Sequence, residues 1–162
     1  MKNRVATVIG TFFGAGYFPK APGTAGSAAA LLIYLAARPA LSGWWLIVAA
    51  ALLYPPAVWA AGVCEKVFQK TDPGQVVIDE VIGQAITLAV IPASAAGFGG
   101  WKLWLTGFIL FRGFDMAKPF PIRRLEKLPG GYGIVTDDVL AGIYGAVVLK
   151  AAIHFGGGYF GL

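Results

Sequence analysis

Five apolar stretches, parted by short polar ones, leave this chain too little polar surface to cover itself in water. Charged residues make up 13% of its 162 residues and apolar ones 57%. A water-soluble domain carries about 25% charged residues, so lipid is the covering this composition predicts. The stretches are Ala25 to Ala37, Ser42 to about Val63, Val76 to Ala96, Trp101 to Phe114 and Asp138 to about Phe155. A membrane crossing takes about 20 residues at 1.5 Å each. The second, third and fifth stretches have that length; the first and fourth are short, and are read as buried in the bundle or entering part-way. The expected fold is therefore an all-α polytopic membrane bundle of about five apolar helices, one domain over residues 1–162. Pro55-Pro56 should kink or break the second helix. Val5 to Phe18, rich in Gly and Phe, is expected to be interfacial. The basic start Met1-Lys2-Asn3-Arg4 and the run to Phe13 lack a clean cleavage site and are read as mature sequence.

The charges then give the bundle a direction. Lys2, Arg4 and Lys20 precede the first stretch. Lys66 and Lys70 lie between the second and third, and Arg112, Lys118, Arg123, Arg124 and Lys127 around the link from the fourth to the fifth. Only Arg38, Lys102 and Lys150 fall elsewhere. Positive loops stay cytoplasmic, so the N-terminus and these links are expected inside and the C-terminus outside. The net charge of +5 is thus assigned to topology and to an anionic lipid, not to nucleic acid. Trp44, Trp45, Trp101 and Trp104 fall on the other side, as an aromatic belt would.

Under this topology five of the eight acidic residues meet at one face: Asp79 and Glu80 opening the third helix, Asp115 ending the fourth, Asp137 and Asp138 opening the fifth. Acids at helix starts also serve the helix dipole, and Thr136 can cap the fifth helix. Asp115 does not fit that account, because a helix C-terminus disfavours negative charge. Clustered carboxylates repel in a low dielectric, and a divalent cation relieves this. Oxygen ligands without His or Cys suit Mg²⁺ completed by phosphate oxygens.

Cations that could meet a phosphate lie nearby. Asp115 and Lys118 share a face if helical, although Pro119 biases Lys118 toward extended backbone. Arg112 is three residues before Asp115; both cations can instead simply pair with it. The Gly-containing loop from Lys20 to Ser27 supplies Lys20, Thr24, Ser27 and a helix start that attracts anions, without a Walker GK[ST]. Arg123 is a further candidate. Gln84, one turn after Glu80, can orient that carboxylate, and Gly83 and Gly142 would let helices approach closely beneath the cation. Cys64 is read as a buried small hydrophobe, since no CxxxxxR loop follows it. His154 stands alone, with no GxSxG or Ser–His–Asp set around it.

Five blocks carry a resemblance to a known family: Lys20-Ala-Pro-Gly-Thr-Ala-Gly-Ser27, Asp72-Pro73, Val77-Ile-Asp-Glu-Val-Ile-Gly-Gln84, Phe111-Arg-Gly-Phe-Asp-Met-Ala-Lys-Pro-Phe-Pro121 and Gly131-Tyr-Gly-Ile-Val-Thr-Asp-Asp-Val-Leu-Ala-Gly142. In this order and spacing the chain resembles the phosphatidylglycerophosphatase A family up to about residue 148. The resemblance implies a Mg²⁺-dependent lipid phosphatase of the bacterial inner membrane. It would convert phosphatidylglycerophosphate to phosphatidylglycerol, with no obligate protein partner evident. Asp79, Glu80, Asp115, Asp137 and Asp138 would supply metal ligands and a base, and Lys118, Arg112, Lys20 and Arg123 would neutralise phosphate charge. Attack by water and a covalent aspartyl-phosphate, first on Asp115, both stay open. The rival classes are a lipid head-group phosphotransferase, whose DxxDGxxAR pattern is absent, and a non-enzymatic ion-binding membrane protein, which would keep its ionisable groups nearer the bilayer centre.

Overall fold

A backbone in lipid must satisfy its own hydrogen bonds, and a helix does so within one segment. The computed structural model describes residues 1–37, 43–95 and 100–161, and among them it is all-helical, with no strand. The helices are α1 (Lys2–Gly10), α2 (Pro22–Ala37), α3 (Gly43–Phe68), α4 (Ile78–Leu88), α5 (Trp101–Ala117), α6 (Ile122–Leu125) and α7 (Gly131–Phe160). Short 3₁₀ turns occupy Ala15–Tyr17 and Ala93–Ala95. Arg38-Pro39, Ser42 and Ala96, which bound the expected stretches, lie outside the described residues.

Two helices are long and apolar enough to cross a membrane, α3 with 26 residues and α7 with 30. Both turn large apolar side chains outward, among them Leu52, Trp59, Val147 and Phe155. An exposed apolar belt of this kind is what lipid covers. α2 is apolar but shorter, with 16 residues.

Four local expectations differ from what forms. The third stretch does not span, because α4 has 11 residues, about 16 Å at 1.5 Å per residue. Pro92 follows closely and disfavours helix at Ile91. Pro55-Pro56 lie inside one continuous α3; prolines are tolerated in spanning helices when neighbours absorb the lost bonds. α2 starts at Pro22, so most of the expected Lys20–Ser27 loop is helix, with proline at its first position. The fifth helix begins at Gly131, not Asp138. Gly131 is needed there for proximity: a Cβ would collide with the Val58 carbonyl of α3.

These contacts orient the bundle. Gly62 of α3 meets Gly131 of α7, and Lys102 Nζ of α5 donates to the Tyr159 carbonyl at the far end of α7, at 2.9 Å. α3 and α5 thus run antiparallel to α7. Trp44 and Trp45, stacked at 3.9 Å, and Trp101 sit at one end of the bundle. The end of α3, the start of α4, the end of α5 and the start of α7 gather at the other. Cys64 is buried, its thiol 3.6 Å from the Ala6 carbonyl, as a small core residue would be.

Candidate active site

α4 crosses α7 at glycine. A Cβ on Gly83 would lie 2.6 Å from the Asp138 carbonyl, and one on Gly142 would run into Gly83 itself. The Thr87 hydroxyl, beside both the Gly83 carbonyl (3.2 Å) and the Gly142 carbonyl (3.0 Å), ties the crossing. One turn above it, α4 carries Asp79 and Glu80 and α7 carries Asp138. The close approach expected of Gly83 and Gly142 is present, and it brings acids from two helices together.

All five expected acids line one cavity of about 220 Å³, with Arg112, Lys118 and Thr24. They are not equivalent. Arg112 Nη1 pairs with Asp115 Oδ2 at 2.5 Å and lies 3.8 Å from Glu80 Oε1. Lys118 Nζ pairs with Asp137 Oδ2 at 2.7 Å and with Glu126 Oε1 at 3.4 Å. By contrast, Asp79 Oδ1, Glu80 Oε2 and Asp138 Oδ2 are buried without a hydrogen-bond partner among the described residues. One carboxylate oxygen from each of these three residues lies within 4.8 Å of the others. Opposite ligands of a Mg²⁺ ion stand roughly 4 Å apart, since each bond is about 2.1 Å. Three hard oxygens at this separation, one from each of these residues, fit such a cation with little adjustment.

Electrostatics point the same way. Burial pushes the Asp79 carboxyl well above its ordinary range, and the charges of Glu80 and Asp138 push it further. Burial also raises Glu80. These groups hold their charge poorly without a cation. Lys118 behaves oppositely: burial works against its charge, but its bonds to Asp137 and Glu126 outweigh that and raise it.

Asp137 and Asp138 are the seventh and eighth residues of α7, so its first turn holds no acid. Thr136 does not cap that helix; its hydroxyl meets the Tyr54 hydroxyl at 2.8 Å. Dipole capping therefore accounts for Asp79 and Glu80 at most. Lys118 ends α5 in the left-handed region, φ 42° and ψ 59°, not in the extended backbone expected before Pro119. Its N–H closes onto the Phe114 carbonyl, an end that stops the helix and aims the side chain at Asp137.

Other candidates fall outside the cavity lining. Lys20 is exposed and does not line it. The buried Ser27 hydroxyl donates to the Gly23 carbonyl within α2, at 3.0 Å. Arg123 lines a neighbouring depression. Gln84 is fully buried, but neither of its amide atoms has a hydrogen-bond partner, so it does not orient Glu80. One lining residue was missed. Asp72, in the α3–α4 link, faces the same cavity; burial raises its carboxyl and Lys118 offsets part of that. Its only signal was the Asp72-Pro73 pair in a polar link on the acidic face.

The sequence model of the phosphatidylglycerophosphatase A family matches residues 8–153. A protein of Bacteroides thetaiotaomicron, provisionally named phosphatidylinositol-3-phosphatase, is 38% identical over 90% of this chain and 91% of its own. The phosphatidylglycerophosphatase A of Haemophilus influenzae is 38% identical over 86% of this chain and 83% of its own. That of Escherichia coli is 35% identical over 88% and 80%. No solved structure matches.

Proposed function

The chain belongs to the phosphatidylglycerophosphatase A family, and on that premise we propose that this phosphatase hydrolyses the terminal phosphomonoester of phosphatidylglycerophosphate with Mg²⁺ held by Asp79, Glu80 and Asp138. The products are phosphatidylglycerol and phosphate. The observation that carries the reading is the set of three unpartnered buried carboxylate oxygens beside two cationic side chains in one cavity. When bound, Mg²⁺ supplies the Lewis acidity that draws charge off phosphoryl oxygens.

The chain's own residues supply the rest. Lys118 and Arg112 balance the phosphate dianion, and Asp137 and Asp115 hold those cations in place. The proton of an attacking water goes to a cavity carboxylate outside the cation set, which returns it to the leaving glycerol oxygen as the P–O bond breaks. Asp72 suits this best, because it makes no ion pair among the described residues whereas Asp115 and Asp137 are engaged. The same end of the bundle gathers Lys66, Lys70, Arg112, Lys118, Arg123, Arg124 and Lys127, which supports placing it on the cytoplasmic side of a bacterial inner membrane, with α3 and α7 crossing.

The test is phosphate release by purified protein in detergent micelles containing phosphatidylglycerophosphate. Release should require Mg²⁺, stop with chelator and return when Mg²⁺ is restored. Release indifferent to chelator, or none at all, overturns the reading. Faster release from phosphatidylinositol 3-phosphate in the same assay would move the substrate assignment to that lipid.

A further inference from the structure

Beside the carboxylate cavity lies a second depression, of about 430 Å³, lined by Lys118, Phe120, Arg123, Arg124 and Lys127. Lys118 borders both, so the two are adjacent. The charge balance in them is opposite. In the first, every cation has a carboxylate. In the second, only Lys118 does; Arg123, Arg124 and Lys127 make no ion pair among the described residues. Arg124 is held with its guanidinium 4.7 Å over the exposed Phe120 ring. The depression therefore offers three uncommitted cations and one aromatic face, at the end of the bundle where lipid head groups lie.

We propose that this depression binds the phosphodiester of the substrate, so that the enzyme selects lipids carrying a phosphodiester next to the phosphomonoester it removes. The inference rests on the lipid phosphatase reading above and deepens it. In phosphatidylglycerophosphate the two phosphates are joined by one glycerol. A phosphomonoester at Lys118 in the first cavity leaves the phosphodiester a short span away, and this depression gathers three uncommitted cations there, whereas a third depression that shares Asp72 and Asp137 with the first offers Lys127 alone beside Glu65 and Glu126. A phosphodiester is a monoanion with two free oxygens, suited to a guanidinium. Phosphatidylinositol 3-phosphate has the same pairing of groups; phosphatidate has the phosphomonoester alone. General attraction of basic residues to an anionic membrane is the competing account, and it makes no distinction between these lipids.

The test compares the full-length protein with the double variant Arg124→Gln, Lys127→Gln, on phosphatidylglycerophosphate and on phosphatidate in neutral detergent. The ratio of the two kcat/KM values should fall about tenfold or more in the variant, the loss of charge-assisted hydrogen bonds to one substrate only. A second measurement uses glycerophosphoglycerol, a soluble phosphodiester with no phosphomonoester. It should inhibit the wild type competitively, with an inhibition constant about tenfold weaker in the variant. An unchanged ratio, with both activities kept or both lowered together, overturns the subsite, as does failure of glycerophosphoglycerol to compete. Absence of phosphate release from every lipid by the wild type would instead sink the phosphatase reading itself.

Discussion

Gly142→Ala should uncouple folding from activity. A Cβ at residue 142 would strike the Gly83 carbonyl oxygen and lie 2.9 Å from Gly83 Cα. The obstacle is backbone, which cannot rotate away. Restoring ordinary contact moves α4 from α7 by roughly 1 Å. The stability terms partly cancel. Overpacking costs about 1–3 kcal/mol, and alanine recovers about 1 kcal/mol of helix propensity. The site has no such compensation. Asp79 and Glu80 ride on α4 and Asp138 on α7, with oxygens now within 4.8 Å, and Mg²⁺ demands near-ideal bonds of about 2.1 Å. A 1 Å error in such a constellation costs about 100-fold. Phosphate release should fall by that order and need more Mg²⁺, while helical content by circular dichroism stays and the unfolding temperature drops only modestly. Gly158→Ala, in the same helix with open space around its Cβ, is the matched control. If Gly142→Ala keeps activity within about threefold at an unshifted Mg²⁺ requirement, the α4–α7 spacing does not set the site.

Other perturbations separate the roles of the acids and cations. Asp115→Asn should lower turnover by about 100-fold or more in the phosphate-release assay, because it frees Arg112 from its position beside Glu80. Mg²⁺ at 100 times its dissociation constant should stabilise the wild type by about 2.7 kcal/mol, read as a rise in unfolding temperature. Asp79→Asn should abolish that rise yet be more stable than the wild type in chelator, since it removes one of three repelling carboxylates. Lys118→Ala leaves buried Asp137 without its counter-ion, and should lower activity and cost about 3 kcal/mol of stability, read as a lower unfolding temperature. Cys64→Ala should retain full phosphate release and resist thiol reagents, because that thiol packs against Ala6 and Gly10 away from the cavity.

The acidic face was legible because it depends on sums: three polar links, their basic residues and five acids all fall on one side whatever the helix ends do. The glycines at 83 and 142 were legible because each stands one turn from a carboxylate. Boundaries were not. Nothing in the local pattern distinguishes Asp138 as a helix start from Asp138 as an interior residue, because glycines such as Gly131 and Gly133 commonly form turns. Only the approach of the Val58 carbonyl to Gly131, and of the Glu126 and Leu128 carbonyls to Gly133, shows that they are small for packing. Pro92 was similarly hidden inside an apolar run, and with it the shortness of α4. Asp72 went unassigned because a lone acid before a proline has an ordinary reading as a turn residue. Lys20 and Ser27 lie outside the cavity lining: their spacing suits an anion loop, but α2 begins early enough to absorb Ser27 into its own hydrogen bonding.

The position of Asp137 and Asp138 inside α7 changes what can explain them. Asp138 stands about 10 Å along the axis from Gly131 at 1.5 Å per residue, beyond the first turn where the helix dipole favours an acid. Ionisable groups in a spanning helix are costly and need partners. Asp137 has Lys118, but one oxygen of Asp138 has none among the described residues. Its cost is recovered only if something positive completes the cluster. α4 begins at Ile78 and so brings Asp79 and Glu80 to the level of Asp138, below the start of α7. The site is thus recessed from the bundle end, and a lipid phosphate must reach down into it past Lys118. That residue ends α5 in a left-handed turn, and its ammonium stands between the carboxylate cavity and the basic depression.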